Sequence, residues 1–134
     1  MKSRDFYVGV LGFSVLYERP EEGFCYLALG EAHLMIDQIG VGRDLVVEDA
    51  APERPFGWGV NVQIRVPDVN AMLRRLAGAQ IEPHLPIEER WYRRDAHEVG
   101  QIQFVVADPD GYLLRFFEYL GERPLPQKAS DSIA

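Results

Sequence analysis

The chain is poor in the side chains on which most enzyme chemistry depends. It has one cysteine, Cys25, and three histidines, His33, His84 and His97, in 134 residues. A lone cysteine excludes an intrachain disulfide and fits a reducing compartment, so a cytoplasmic protein is expected. With no basic neighbour in sequence to lower its pKa, Cys25 reads as a small buried hydrophobe. Long hydrophobic runs are also missing. The apolar stretch 7–17 is shorter than the roughly 20 residues that span a bilayer. It is followed by Glu18-Arg19-Pro20-Glu21-Glu22, not by a small-residue cleavage site, so no targeting segment is read. Basic residues are outnumbered, 14 Lys and Arg against 21 Asp and Glu, for a net charge of −7. Nucleic-acid backbones and anionic membrane surfaces need clustered Lys and Arg and are not expected partners. A cationic ligand is compatible with this balance, although acidity also simply keeps a protein in solution.

Recognisable catalytic constellations are absent as well. Ser3 and Ser14 have neither a neighbouring histidine nor a glycine-elbow setting, and no glycine-rich loop is built to cradle phosphate. The acidic pairs Glu21-Glu22, Glu88-Glu89 and Asp108/Asp110 fall in predicted turns and loops, where a solvated role is expected. His84 lies between prolines, and His97 sits among acids in a predicted loop.

What the chain does have is 47% hydrophobic residues, enough for one core in one compact domain. The strongest local pattern lies near its end. Residues 101–106 read as a strand, Asp108-Pro109-Asp110-Gly111 as a tight reversal, and 112–118 as a returning strand interrupted by Arg115. Proline presets the first turn dihedral, Asp110 offers a local acceptor and Gly111 can take positive φ. Upstream, residues 3–11 predict a helix with Phe6, Tyr7, Val10 and Leu11 on one side and Gly12 as its C-cap. Strands are predicted over 13–19, 24–29 and 33–39. The glycine, proline and acid-rich segment 40–57 reads as a loop. Residues 59–66 then alternate, with Val60, Val62, Ile64 and Val66 on one face and Asn61, Gln63 and Arg65 on the other. Asp68 is the expected N-cap of a helix carrying Val69, Met72, Leu73 and Leu76, ended by Gly78. An extended segment over 81–89 and an aromatic-basic loop, Trp91-Tyr92-Arg93-Arg94, lead into the last hairpin.

The halves match as modules, helix-strand-strand-strand followed by strand-helix-strand-strand-strand. The boundaries are 1–39 and 59–123, with a linker over 40–58, giving one domain over 1–123 and a loose tail over 124–134. Met1-Lys2-Ser3 leaves no room for a strand ahead of the first helix. Either the reading frame begins downstream of the usual start, or the sheet is shortened, or a partner chain covers the edge. An uncovered apolar edge associates readily, so a homodimer is expected.

Trp91-Tyr92-Arg93, Glu98-Val99-Gly100, Gln103-Phe104 and Asp-Pro-Asp-Gly-Tyr-Leu-Leu-Arg-Phe over 108–116, with Arg4-Asp5-Phe6-Tyr7 and Leu11-Gly12-Phe13, carry a resemblance over nearly the whole chain. The sequence resembles the glyoxalase/bleomycin-resistance/extradiol-dioxygenase superfamily, the vicinal oxygen chelate fold, and is similar to its bleomycin-resistance proteins. The resemblance implies an α+β fold of paired βαβββ modules forming a cupped mixed sheet, with helices on the convex face and ligand on the concave face. Metal-dependent relatives carry a carboxylate four residues after the hairpin glycine. Here Arg115 stands in that place, and Asn61 stands where a histidine often opens the strand before the second helix. A guanidinium donates no lone pair, so no metal and no cofactor is expected. Asp37, the remaining donor in the matched positions, is expected to pair with Arg115 if the cup closes.

The resemblance therefore implies sequestration of a bulky, partly aromatic small molecule, with a cationic aromatic antibiotic as the model. Trp58, Trp91, Tyr92 and Phe117 would supply stacking surfaces at the cup or its rim, and Asn61, Gln63, Gln103, Arg115 and Asp37 polar contacts. Two alternatives stay open. One is a metal-dependent enzyme with a relocated site built on His33 and Asp37 with His97 or Glu118. The other is a regulatory module with a vestigial cup.

Overall fold

The computed structural model describes residues 2–41 and 54–126. It is a mixed α+β fold with two sheets. Helix α1 (Lys2–Arg4) widens into a π-helical stretch, Asp5–Val10, and leads to strands β1 (Ser14–Arg19), β2 (Phe24–Leu29) and β3 (Ala32–Asp37). Strand β4 (Asn61–Arg65) precedes helix α2 (Val69–Gly78), which is followed by β5 (Leu85–Arg94), β6 (His97–Ala107) and β7 (Leu113–Pro124). The first sheet is an antiparallel β1-β2-β3 ribbon; the second has the order β4-β7-β6-β5, with β4 parallel to β7 and the other pairs antiparallel. In the second sheet β4 covers the edge of β7. No strand among the described residues does the same for β3, the edge at which the sequence leaves a strand unaccounted for.

The first helix is wider than its sequence suggests. The amide of Leu11 bonds to the carbonyl of Phe6 at 2.9 Å, five residues back, and this spacing sets Phe6 and Leu11 on one side. Phe6, Tyr7 and Leu11 are buried, whereas Val10 is only half-buried. Gly12 then takes φ +85, as its place after the helix required. Helix α2 begins as expected, with the Asp68 carboxylate accepting from the Ala71 amide at 3.1 Å. Its other end differs: Gly78 closes the helix in ordinary geometry, and the left-handed residue is Gln80, φ 59.

One buried cluster joins the helices to both sheets. Phe6, Tyr7, Leu11, Phe13, Cys25 and Leu27 come from the first half, and Ile64, Val69, Leu76, Phe104, Leu114 and Phe116 from the second. The alternation of β4 is borne out only in part. Ile64 and Val66 are buried, but Val60 and Val62 at the other end of this edge strand stay exposed.

The predicted loop at 91–94 is strand. Residue Trp91 pairs with Gly100, Tyr92 with Val99 and Arg94 with His97, and the reversal is confined to Asp95 and Ala96, with Asp95 at φ 55. The eleven-residue β6 supplies a ladder long enough to hold the polar residues of β5 extended, which local composition does not reveal. His97 accordingly begins a strand. The hairpin turn also differs in detail. Asp108, not Asp110, organises it, accepting from the amides of Asp110 and Tyr112 at 2.9 Å each. Asp108 is buried, contrary to the solvated role expected of it, and Asp110 instead pairs with Arg54 at 2.8 Å. Strand β7 runs to Pro124, so the expected tail begins later; most of that tail and most of the 40–57 loop lie outside the described residues.

Candidate functional site

The polar face of the second sheet is built by alternation. Register places Asn61 and Gln63 on β4, Arg115 and Phe117 on β7, Gln101 and Gln103 on β6, and Glu88 and Tyr92 on β5 on one side of the sheet. The opposite side carries Phe104, Leu114 and Phe116, buried against the core. A single-residue shift in any of these strands would exchange the two sets.

The polar side chains are bonded to one another. Gln101 Nε2 donates to Gln63 Oε1 at 3.2 Å and to Gln103 Oε1. Gln103 Nε2 donates to Glu88 Oε1 at 3.0 Å and to the Tyr92 hydroxyl at 2.6 Å. Arg115 Nε donates to Asn61 Oδ1 at 3.3 Å, and its Nη1 donates to the Tyr92 hydroxyl at 3.1 Å. Gln103, only 1% exposed, is thus held at both ends, and no buried side-chain polar atom among the described residues lacks a partner. Above this floor lies an open cavity of about 510 Å³ lined by Asn61, Gln63, Tyr92, Arg93, Arg94, Val99, Gln101 and Arg115.

Four of the residues singled out from sequence therefore line one cavity: Asn61, Gln63, Tyr92 and Arg115. Gln103 lies beneath it in the amide network, and Phe117 shares its face of the sheet without lining it. Trp58 does not join them; it is 88% exposed. Trp91 is one strand position from Tyr92 and so takes the other face, where its ring covers Gly100 and lies under Arg123, whose guanidinium is 4.1 Å from the ring centroid. Asp37 lies at the end of β3 in the other sheet, and the expected ion pair with Arg115 is not formed; Arg115 bonds to Asn61 and Tyr92 instead. Sequence reasoning missed Gln101, Val99, Arg93 and Arg94. The first two follow from the alternation that selected Gln103, and the two arginines were hidden by the loop reading.

The first sheet carries a second feature, one that depends on cross-strand register. Tyr17 and Tyr26 stack at 5.2 Å with 10° between their planes, Arg19 lies 4.2 Å over Phe24, and Tyr26 bonds to His33 at 2.9 Å. Tyr17 is 52% and neighbouring Met35 66% exposed, so an aromatic face stands open to solvent.

The donor set does not fit the metal of metal-dependent relatives. Arg115 and Asn61 occupy the matched positions, and among the described residues no three His, Cys, Asp or Glu side chains are grouped to hold an ion. The relocated site does not assemble either. His33 is engaged by Tyr26, and Glu118 accepts from the Val69 amide at 2.8 Å, at the start of α2. Cys25 is buried, donates to Glu18 Oε2 at 3.2 Å, and has its thiol pKa raised chiefly by desolvation. It is a poor nucleophile. No helix among the described residues is long and apolar enough to cross a membrane.

Two sheets, two helices and a polar cup over an apolar core define an α+β protein of the vicinal-oxygen-chelate type. The chain belongs to the glyoxalase/bleomycin resistance protein/dioxygenase superfamily, whose family model matches residues 1–116. A superfamily member from Vibrio splendidus 12B01 is 36% identical over 88% of this chain and 87% of its own, with a TM-score of 0.42. TioX from Micromonospora sp. ML1 is 24% identical over 87% of this chain and 86% of its own, with a TM-score of 0.64. A virulence protein from Salmonella typhimurium is 18% identical over 89% and 86%, with a TM-score of 0.63. No curated protein matches the chain.

Proposed function

We propose that the protein is a binding protein of this superfamily that holds a bulky, partly aromatic small molecule on the polar floor of its second sheet. The observation that carries this reading is Arg115. It lines the cavity at the position where a metal-dependent relative would offer a carboxylate, and its hydrogen bonds fix it to Asn61 and Tyr92. The cavity lining offers amide, phenol and guanidinium groups, which orient a ligand, and the Glu88 carboxylate of the same face is engaged by Gln103 outside that lining. Retention is then a matter of mass action.

The cavity is open on one side, and the aromatic face of Tyr17, Tyr26 and Met35 is not covered by any described residue. A homodimer in which one copy's aromatic face closes the other copy's cavity would bury both. This is the arrangement we propose for the bound state.

Thermal unfolding with metal-free bleomycin and a panel of uncharged and charged aromatic compounds tests the binding reading. A bound compound raises the melting temperature in proportion to its concentration over Kd. The effect should survive exhaustive chelation. A stoichiometric divalent ion in protein purified without chelator, required for binding or turnover, would overturn the proposal. Indifference to the whole panel would favour an interaction module with an idle cup.

A further inference from the structure

The cavity reverses the charge of the protein that contains it. The chain carries −7 overall, yet the eight residues lining the cavity include Arg93, Arg94 and Arg115 and no carboxylate. Two acids share this sheet face: Glu88 is already engaged by Gln103 at 3.0 Å and approaches Arg90 at 3.9 Å, and Glu122 lies across the strands from Val99 without lining the cavity. Glu98, paired across the strands with Arg93, is bound to Arg123 at 2.9 Å. None of the three arginines forms an ion pair with a described residue; Arg93 donates only to the Asp95 carbonyl, at 3.3 Å.

The hydrogen-bond inventory agrees. A guanidinium has five N–H donors. Arg115 commits one to Asn61 and one to Tyr92, which leaves three without an acceptor among the described residues. The Tyr92 oxygen accepts from both Gln103 and Arg115, so its own proton points away from both and is available to a ligand acceptor. The lining thus offers an excess of donors, three arginines with no ion-pair partner among the described residues, and a phenol whose proton is free of both contacts. Such an array matches an oxyanion, whose planar or tetrahedral oxygens accept several charge-assisted bonds at once.

Resting on the binding function proposed above, we infer that the ligand carries a carboxylate or phosphonate group, and that this group is held by Arg115, Arg94 and the Tyr92 hydroxyl. The cationic ligand suggested by net charge alone is disfavoured at this position, because the local field of the cavity has the opposite sign to the field of the whole chain.

Matched probes on one aromatic body test this: 1-naphthoate, 1-naphthylphosphonate, 1-naphthamide and 1-naphthylmethylamine, titrated by fluorescence at low and high salt. At least one of the two anions should bind about tenfold or more tighter than the amide, with the amine weakest. The two anions read out which oxyanion the site prefers. Anion affinity should fall with added salt and fall again, about tenfold, in Arg115→Gln and in Arg94→Gln. The Arg94 side chain makes no hydrogen bond or ion pair with a described residue, so its variant keeps the fold even if Arg115→Gln is destabilised. Equal binding of anion and amide, tighter binding of the amine, or anion affinity unchanged in both variants overturns the oxyanion assignment and leaves the binding reading standing. Failure of all four probes to bind counts against both.

Discussion

The hydroxyl of Tyr7 donates a 2.7 Å hydrogen bond to Asp108, tying the first helix to the turn of the last hairpin across 101 residues of sequence. Both residues are buried, and Asp108 Oδ1 simultaneously holds the turn amides of Asp110 and Tyr112. The bond joins the part of the chain that packs the first sheet to the turn that aligns β6 with β7. Tyr7→Phe leaves a buried carboxylate oxygen short of a donor and should cost about 1–3 kcal/mol. Urea unfolding at neutral pH measures it.

The same bond predicts a pH dependence. Burial, followed by the bond to Asp108, raises the Tyr7 pKa far above its ordinary value of 10.0. The folded protein therefore keeps a proton that the unfolded chain releases above about pH 10, so stability falls as pH rises through that region. Stability measured at pH 8 and pH 11 should decline less in Tyr7→Phe than in the parent. An identical decline would show that Tyr7 contributes nothing to the alkaline limb.

Gly100 is predicted to be intolerant of a side chain. A Cβ there would lie 2.6 Å from the indole of Trp91. Gly100→Ala should displace the ring from beneath Arg123 and cost about 1–3 kcal/mol. Because Trp58 is exposed already, a red shift of tryptophan emission on this substitution reports Trp91 leaving its place. In a Trp91→Ala background the substitution should cost less.

Glu118 is predicted to act on helix α2 rather than on a ligand. Its carboxylate accepts from the Val69 amide at 2.8 Å, at the positive end of the helix. Glu118→Gln keeps an acceptor and removes the charge, at a cost of about 0.3–1 kcal/mol. Glu118→Ala also loses the acceptor and should cost about 1–2 kcal/mol, as N-cap losses do. Ligand affinity should be unchanged in Glu118→Gln.

Tyr92 should matter to both stability and binding. Its oxygen accepts from Gln103 and Arg115, so Tyr92→Phe leaves a buried amide with one partner fewer and frees Arg115 to move. A loss of about 1–3 kcal/mol is expected in unfolding experiments. A weaker affinity for the anionic probes should accompany it.

Much of the fold was legible in the chain because it is written in short-range patterns. The Asp-Pro-Asp-Gly reversal, the Asp68 cap and the alternation of 59–66 each depend on neighbours a few residues apart. The part that failed is the part set by distant partners. Trp91-Tyr92-Arg93-Arg94 has loop composition and becomes strand because residues 97–100 lie alongside it. For the same reason Trp91 and Tyr92, adjacent and chemically alike, end on opposite faces, one covering a glycine and the other facing the cavity.

By itself the sequence determined the α+β modules and the presence of a cationic side chain where related metal sites have a carboxylate, since periodicity, turn chemistry and residue identity are local properties. The tertiary structure alone decided what surrounds that side chain. Sheet register brought Asn61, Gln63, Tyr92, Arg94 and Arg115 to one cavity and kept Asp37 out of it, because cross-strand pairing, not sequence separation, sets which side chains meet.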